Sequence, residues 1–136
     1  MSEKRKPIPK TIRIQVHKKY NGHCAYCGCE LAYKDMQVDH VVSVFSNSYY
    51  AMGNKKPASD ILTDEKLNSI ENFMPACRQC NFYKSTFSLE EFRERLQTMT
   101  DRLKNEYIYK LSLKYGLVEE HNEPVVFYFE KMGGHK

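Results

Sequence analysis

Four of the five cysteines in this chain form two Cys-x-x-Cys pairs, Cys24/Cys27 and Cys77/Cys80. Thiolates bind Zn²⁺ tetrahedrally, and a two-residue spacer lets both sulfurs of one turn reach the same ion. Four thiolates leave no open position for water, so the predicted zinc site is structural and any chemistry lies elsewhere. The fifth thiol, Cys29, is interpreted as a bystander.

An alternative for the same cysteines is a pair of disulfides or a set of scattered buried thiols. No signal peptide or apolar segment precedes Cys24, so an oxidising compartment is not indicated. With 28% charged residues and no apolar run long enough to span a membrane, the chain is expected to be cytoplasmic. The 49 residues between Cys27 and Cys77 exceed the usual knuckle spacing, so the fold must join the two pairs.

The length of 136 residues predicts a single domain, 1–136, small enough for a metal to add useful stability. The formal charge of +4 is uneven, because residues 1–20 carry seven Lys/Arg against one Glu. Residues 1–9 are interpreted as a flexible basic arm that contacts a phosphate backbone, with a solvated terminus as the open alternative. The candidate nucleic-acid-binding residues are Lys4, Arg5, Lys6, Lys10, Arg78 and Lys84.

The pattern around the cysteine pairs predicts the elements that position them. Apolar residues at helical spacing indicate a helix over 9–20, ending near Asn21-Gly22. Residues 36–44 are β-branched and alternating, which predicts a strand that directs Asp39 and His40 to opposite faces. A short helix is expected to follow Cys80.

The remaining segments are predicted to be an insertion and an extension. Residues 43–68 are rich in turn formers and are interpreted as an insertion loop, where substrate choice could reside. The extension, 88–136, begins with a Ser-x-x-Glu capping box at Ser88 and continues in a helical pattern, in which a break could fall around residues 98–101, to a C-cap at Gly116. Residues 124–130 are predicted to form a strand. The apolar stripe expected in the core is Leu89, Phe92, Leu96, Met99 and Leu103.

The order of the motif residues resembles that of the HNH endonuclease family. Asp39-His40 lies between the cysteine pairs, Asn72 precedes the second pair, and Asn81 follows it directly, with Lys84 beyond. The resemblance covers roughly residues 20–86, with Asn rather than His at the last motif position, a variant the family also uses. It looks most like phage-encoded and mobile-element members. It implies an α+β fold, a ββα-metal core beside a structural four-cysteine zinc site.

The resemblance also implies roles for these residues. Asp39 and Asn81 would bind a catalytic Mg²⁺ or Mn²⁺, His40 would be the general base, and Asn72 would fix the loop between the strands. Apart from the resemblance, Lys84 is a candidate to hold a phosphate, with a solvated surface charge as the open alternative. Oxygen ligands suit a hard cation, and an imidazole accepts a proton at neutral pH, so the residue types agree with these roles. The expected activity is one-metal hydrolysis of DNA to 5'-phosphate and 3'-OH ends.

Other readings of the same residues stay open. The chain could be a zinc-knuckle module that binds nucleic acid without cutting it, or a phage interaction protein. Asn81 could simply cap the helix after the second cysteine pair. RNA as a substrate and a homodimer are compatible with the sequence, and a membrane partner is not expected.

Overall fold

The computed structural model describes residues 7–43 and 62–133. Within these ranges the protein is a mixed α+β fold, in which helices surround a two-stranded antiparallel sheet. None of the helices in the described ranges is long and apolar enough to cross a membrane. The predicted phosphate contacts Lys4, Arg5 and Lys6, and most of the 43–68 insertion, lie outside the described residues.

The helices are α1 (Lys10–Lys18), α2 (Asp64–Leu67), α3 (Arg78–Lys84), α4 (Leu89–Gln97), α5 (Met99–Leu103), α6 (Tyr107–Lys114) and α7 (Tyr128–Gly133). The strands are β1 (Gln37–His40) and β2 (Phe73–Ala76). Two short 3₁₀ turns, Tyr33–Asp35 and Ile70–Asn72, lead into the strands.

The first helix confirms the prediction for residues 9–20. Val16 is its buried residue, and the chain reverses just after it through positive φ angles at Asn21 and Gly22. Lys19 follows the helix and donates hydrogen bonds to the carbonyl oxygens of Ile70 and Phe73, at 2.9 and 2.6 Å. These bonds tie the end of α1 to the start of β2.

The sheet pairs β1 with β2 so that Gln37 lies opposite Ala76 and His40 lies opposite Phe73. β1 is shorter than predicted and ends at His40, where its pairing with Phe73 stops. Beyond it, Val41 N–H donates to the carbonyl of Asn72, and Val42 N–H donates to the side chain of Asn72, each at 2.9 Å. α3 follows β2 directly and contacts β1. The elements β1, β2 and α3 therefore pack together as one unit.

The predicted strand over residues 124–130 is wrong, because α7 occupies its second half. The carboxylate of Glu130 accepts from the backbone N–H of Phe127, and the carbonyl of Phe127 accepts from Glu130 and Lys131 N–H. These local bonds start a helical turn. Phe127 is buried against the rings of Tyr26 and Phe92, so tertiary packing rather than strand pairing uses these aromatic residues.

The predicted capping box at Ser88 is confirmed, and Phe92 of α4 is buried. The helix breaks at Thr98, within the range where a break could fall. The end of the apolar stripe does not reach the core as predicted, because Leu103 is 39% exposed. α6 contributes no buried residue. Its C-terminal Gly116 has a φ of +73°, as expected for a glycine that ends a helix.

Candidate zinc centre and active site

The two cysteine pairs meet in space. The Sγ atoms of Cys24, Cys27, Cys77 and Cys80 all lie within 4.8 Å of one another. Cys27 Sγ is 3.9 Å from Cys77 Sγ, close to the edge of about 3.8 Å expected for a tetrahedron with Zn–S distances of ~2.3 Å. All five cysteines are free thiols, which argues against the disulfide alternative. The cluster could hold a metal ion such as zinc, and Cys29 lies outside it.

Backbone hydrogen bonds shape both halves of this cluster. In the first half Cys24 N–H donates to the carbonyl of Cys29 at 2.9 Å, and Gly28 turns the chain with a φ of +82°. In the second half Cys77 is the N-cap of α3, and its Sγ accepts from the N–H of Cys80 at 3.5 Å. One pair therefore lies on a tight turn, and the other spans the start of a helix.

The pKa values of the thiols in and beside the cluster differ. A hydrogen bond from Cys80, the main cause, lowers the pKa of Cys24 to about 4, and the same bond raises the pKa of Cys80. Burial raises the pKa of Cys29 to about 12. The low pKa of Cys24 is therefore the counterpart of the proton that Cys80 keeps, and zinc binding would remove the protons of both thiols.

Asp39 is a buried carboxylate, 5% exposed, at the centre of a polar network. Its Oδ2 accepts from the hydroxyl of Tyr26 at 2.6 Å and pairs with Lys84 Nζ at 3.1 Å. Burial raises the pKa of Asp39, and the charge of Lys84, the bond from Tyr26 and the charge of His40 each reduce that rise. Sequence reasoning missed Tyr26, since a tyrosine between two cysteines carries no signal of a buried carboxylate partner.

Lys84 is fully buried, so its predicted contact with a phosphate is wrong. Besides Asp39, its ammonium donates to the carbonyl oxygens of His40 and Val41, each at 3.2 Å. These acceptors at the end of β1 occupy the three donors of the amine. Arg78 and Lys10, in contrast, are exposed, and their contact with nucleic acid stays a prediction.

Asn81 lies inside α3, and Cys77 is the residue that caps this helix, which argues against the capping role considered for Asn81. Its Nδ2 donates to Gln37 Oε1 at 2.6 Å. Gln37 is two residues before Asp39 on β1, and Asn81 is three residues before Lys84 on α3. The two elements therefore face each other through two polar pairs, with the predicted ligands Asp39 and Asn81 on the facing surfaces.

His40 projects away from this network, as the alternation of a strand requires. Its ring meets Phe73 edge-on, with centroids 5.1 Å apart, and its Nε2 lies 3.3 Å from Asn68 Oδ1. Since an amide oxygen only accepts, this contact is a hydrogen bond when the ring carries a hydrogen on Nε2. Sequence reasoning missed Asn68, because it lies within the segment interpreted as an insertion loop.

Asn72 connects the residue Val42, just after β1, with Leu67 at the end of α2. Its Oδ1 accepts from Val42 N–H at 2.9 Å, and its Nδ2 donates to the carbonyls of Val42 and Leu67 at 3.0 and 2.9 Å. The side chain is buried, 6% exposed, and these three partners are all backbone groups. It therefore fixes the exit of β1 beside the end of α2.

No family model, curated protein or solved structure matches this chain. The described residues bring together a four-thiol cluster, a buried carboxylate and, on the facing helix, an amide. The contacts of Tyr26 with Asp39 and of Asn68 with His40 are visible only in three dimensions.

Proposed function

We propose that this protein is a metal-dependent endonuclease of the HNH type that hydrolyses phosphodiester bonds in DNA. The observation that carries the proposal is the packing of α3 on β1, which sets Asn81 on the surface that faces Asp39. The four-cysteine cluster supports the same unit, because Cys77 and Cys80 begin the helix that carries Asn81.

The donor set fits a hard divalent cation. Asp39 uses Oδ2 for its contacts with Tyr26 and Lys84, and Asn81 uses Nδ2 for its contact with Gln37. A carboxylate oxygen and an amide oxygen are then the atoms that would hold Mg²⁺ or Mn²⁺. Once bound, the cation would supply Lewis-acid stabilisation of the charge that develops on the phosphate and the leaving oxygen.

Lys84 makes this set nearly neutral, because its ammonium offsets the charge of Asp39. The affinity for the cation is therefore expected to be higher when a DNA phosphate adds negative charge than in the free protein. Magnesium sites that combine one or two protein oxygens with substrate phosphates follow the same logic.

His40 is the proposed general base. The contact with Asn68 holds the ring in place, and an imidazole can accept a proton from an attacking water near neutral pH. Attack at phosphorus then breaks the bond to the 3'-oxygen, which takes a proton from solvent water, and leaves a 5'-phosphate and a 3'-OH. A positioned base of this kind contributes roughly 10²- to 10⁴-fold in rate.

The proposal is tested by conversion of supercoiled plasmid to nicked or linear DNA with Mg²⁺ or Mn²⁺. Wild type is compared with His40→Ala and with His121→Ala, whose histidine is 67% exposed. Cutting should fall at least 100-fold in His40→Ala and stay unchanged in His121→Ala, with equal zinc content. Equal cutting by wild type and His40→Ala would exclude His40 as the base, and a parallel RNA substrate tests the choice of nucleic acid.

A second candidate function is a zinc module that binds nucleic acid without cutting it. It is favoured by one observation, that the Asp39 carboxylate is already buried and paired with Lys84. Zinc-loaded protein that binds DNA in a salt-dependent way, yet leaves plasmid intact, would select this candidate.

A further inference from the structure

Tyr26 lies between the first two cysteines of the zinc cluster and is 3% exposed. Its ring packs edge-on against Phe92 and Phe127, with centroids 5.3 and 5.4 Å apart. A phenylalanine would serve this packing equally well. A buried hydroxyl, however, is costly unless it is hydrogen-bonded, and this one donates to Asp39 Oδ2 at 2.6 Å.

The backbone around Tyr26 is held from two sides. On one side Ala25 N–H donates to the carbonyl of Pro75 in β2 at 2.8 Å. On the other side the carbonyls of Ala25 and Tyr26 accept from Phe129 and Tyr128 of α7, at 2.8 and 3.0 Å. The position of the phenol is therefore set by the cysteine turn, the sheet and the C-terminal helix together.

The carboxylate of Asp39 is correspondingly restrained. Within the described residues, two donors contact this carboxylate, and both contact the same oxygen, Oδ2. They are Tyr26 Oη and Lys84 Nζ. Lys84 is itself fixed by the carbonyls of His40 and Val41. Rotation of the carboxylate would break one of these contacts, so Oδ1 keeps one direction.

We propose that Tyr26 is a positioning residue of the cation site, which holds the Asp39 carboxylate so that Oδ1 is presented to the metal ion. This inference rests on the proposed function. It makes the structural zinc site and the proposed catalytic site one mechanical unit, because a side chain inside the first cysteine pair orients the catalytic ligand. Residues that orient a ligand from outside the coordination sphere typically change metal affinity 10- to 100-fold when mutated.

The test measures Mn²⁺ affinity in the zinc-loaded full chain, by the electron paramagnetic resonance signal of free Mn²⁺. Tyr26→Phe removes the hydroxyl and keeps the ring. Tyr83→Phe is the matched control, because Tyr83 also packs against Phe92 but its hydroxyl accepts from Arg102. Asp39→Asn identifies binding at the proposed site.

Tyr26→Phe is expected to bind Mn²⁺ about 10- to 100-fold more weakly than wild type, with unchanged zinc content, while Tyr83→Phe binds like wild type. Asp39-dependent binding that Tyr26→Phe leaves unchanged, or strengthens, would overturn this inference alone. Absence of Asp39-dependent binding in the wild type would overturn the proposed cation site and the inference together. Plasmid cutting by the wild type tests the proposed function separately from these binding measurements.

A measurement on the wild type covers the case in which Tyr26→Phe fails to fold. The hydroxyl proton of Tyr26 is buried in a short bond and should exchange slowly enough to give a resolved proton resonance. Addition of Mg²⁺ should shift this resonance, because the cation changes the charge on the carboxylate that accepts the bond. A resonance that stays fixed while Asp39-dependent Mn²⁺ binding is present would contradict the proposed role of Tyr26.

Discussion

Lys84 Nζ lies 3.1 Å from Asp39 Oδ2, and both side chains are buried beneath α3. Removal of one partner from a buried pair leaves an uncompensated charge, which typically costs roughly 3–5 kcal/mol. We expect Lys84→Met to lower the free energy of unfolding in urea by about that amount. Lys110→Met, at an exposed lysine, should change it by less than about 0.5 kcal/mol.

The same pair can be tested by a double-mutant cycle. Asp39→Asn in the Lys84→Met background removes the unpaired carboxylate, so the double variant should be more stable than Lys84→Met alone. Strictly additive losses would show that the two side chains do not depend on each other.

Zinc removal should destabilise the whole fold. Structural zinc is worth on the order of 10 kcal/mol in small sites, comparable to the stability of a typical domain. Cys77→Ser is expected to bind no zinc and to lose its cooperative thermal transition, as wild type does after chelation. Cys29→Ser, at a thiol outside the cluster, should keep one zinc per chain by elemental analysis and melt like wild type. Loss of zinc in Cys29→Ser would place that thiol among the ligands.

The ion pair between Arg93 and Glu130 should make the free energy of unfolding depend on pH in the acidic range. Two guanidinium nitrogens bind the two carboxylate oxygens, at 2.9 and 2.6 Å, and this bond is the main cause of the lowered pKa of Glu130. A lowered folded pKa means that the contribution is complete above the ordinary value of 4.5 and is lost as the pH falls through the folded value.

Glu130→Gln should therefore lower the free energy of unfolding at pH 7 by about 1 kcal/mol, a value reduced by partial exposure. Glutamine keeps an oxygen for Phe127 N–H but loses the charge and the oxygen that accepts from Arg93 Nη2, so the change removes the ion pair and spares the bond to Phe127. The difference from wild type should shrink below a pH of about 4.5 in urea titrations. A difference that is constant with pH would contradict the role of the charge, and Glu94→Gln, at an exposed residue of the same helix as Arg93, is the control.

Alanine substitutions at two glycines distinguish the cost of backbone strain from the cost of a steric clash with a neighbouring side chain. Gly28 and Gly116 have similar φ angles of +82° and +73°, but an added Cβ at Gly28 would lie 2.7 Å from Tyr128 Cδ1, while at Gly116 nothing lies within 4 Å. Gly116→Ala should cost roughly 1–2 kcal/mol from strain alone, and Gly28→Ala should cost about 1–3 kcal/mol more. Equal losses in thermal or urea unfolding would show that Tyr128 moves aside freely.

The cysteine spacing and the strand alternation could be interpreted from the sequence because both depend on local rules. A two-residue spacer determines which thiols share a turn, and the cluster of four thiols follows that prediction. The alternation along β1 correctly predicts that Asp39 and His40 diverge. The capping box at Ser88 is a local rule of the same kind.

Tertiary context determines the features that the sequence could not predict. Lys84 looks like a surface lysine until three acceptors at the end of β1 are placed around its ammonium. The aromatic run after Pro124 has strand composition, yet the Glu130 carboxylate and the aromatic core favour a helical turn. Composition alone cannot reveal a partner that lies dozens of residues away.

The separation of 50 residues between Cys27 and Cys77 also has a kinetic consequence. Before folding, each cysteine pair is a separate two-thiolate half-site, and closure of the loop between them carries an entropic cost. One equivalent of zinc tethers the halves and favours closure, whereas excess zinc fills both with different ions, one of which must dissociate first. The refolding rate should therefore pass through a maximum near one zinc per chain, so the ratio of zinc to protein would determine how fast the native state forms.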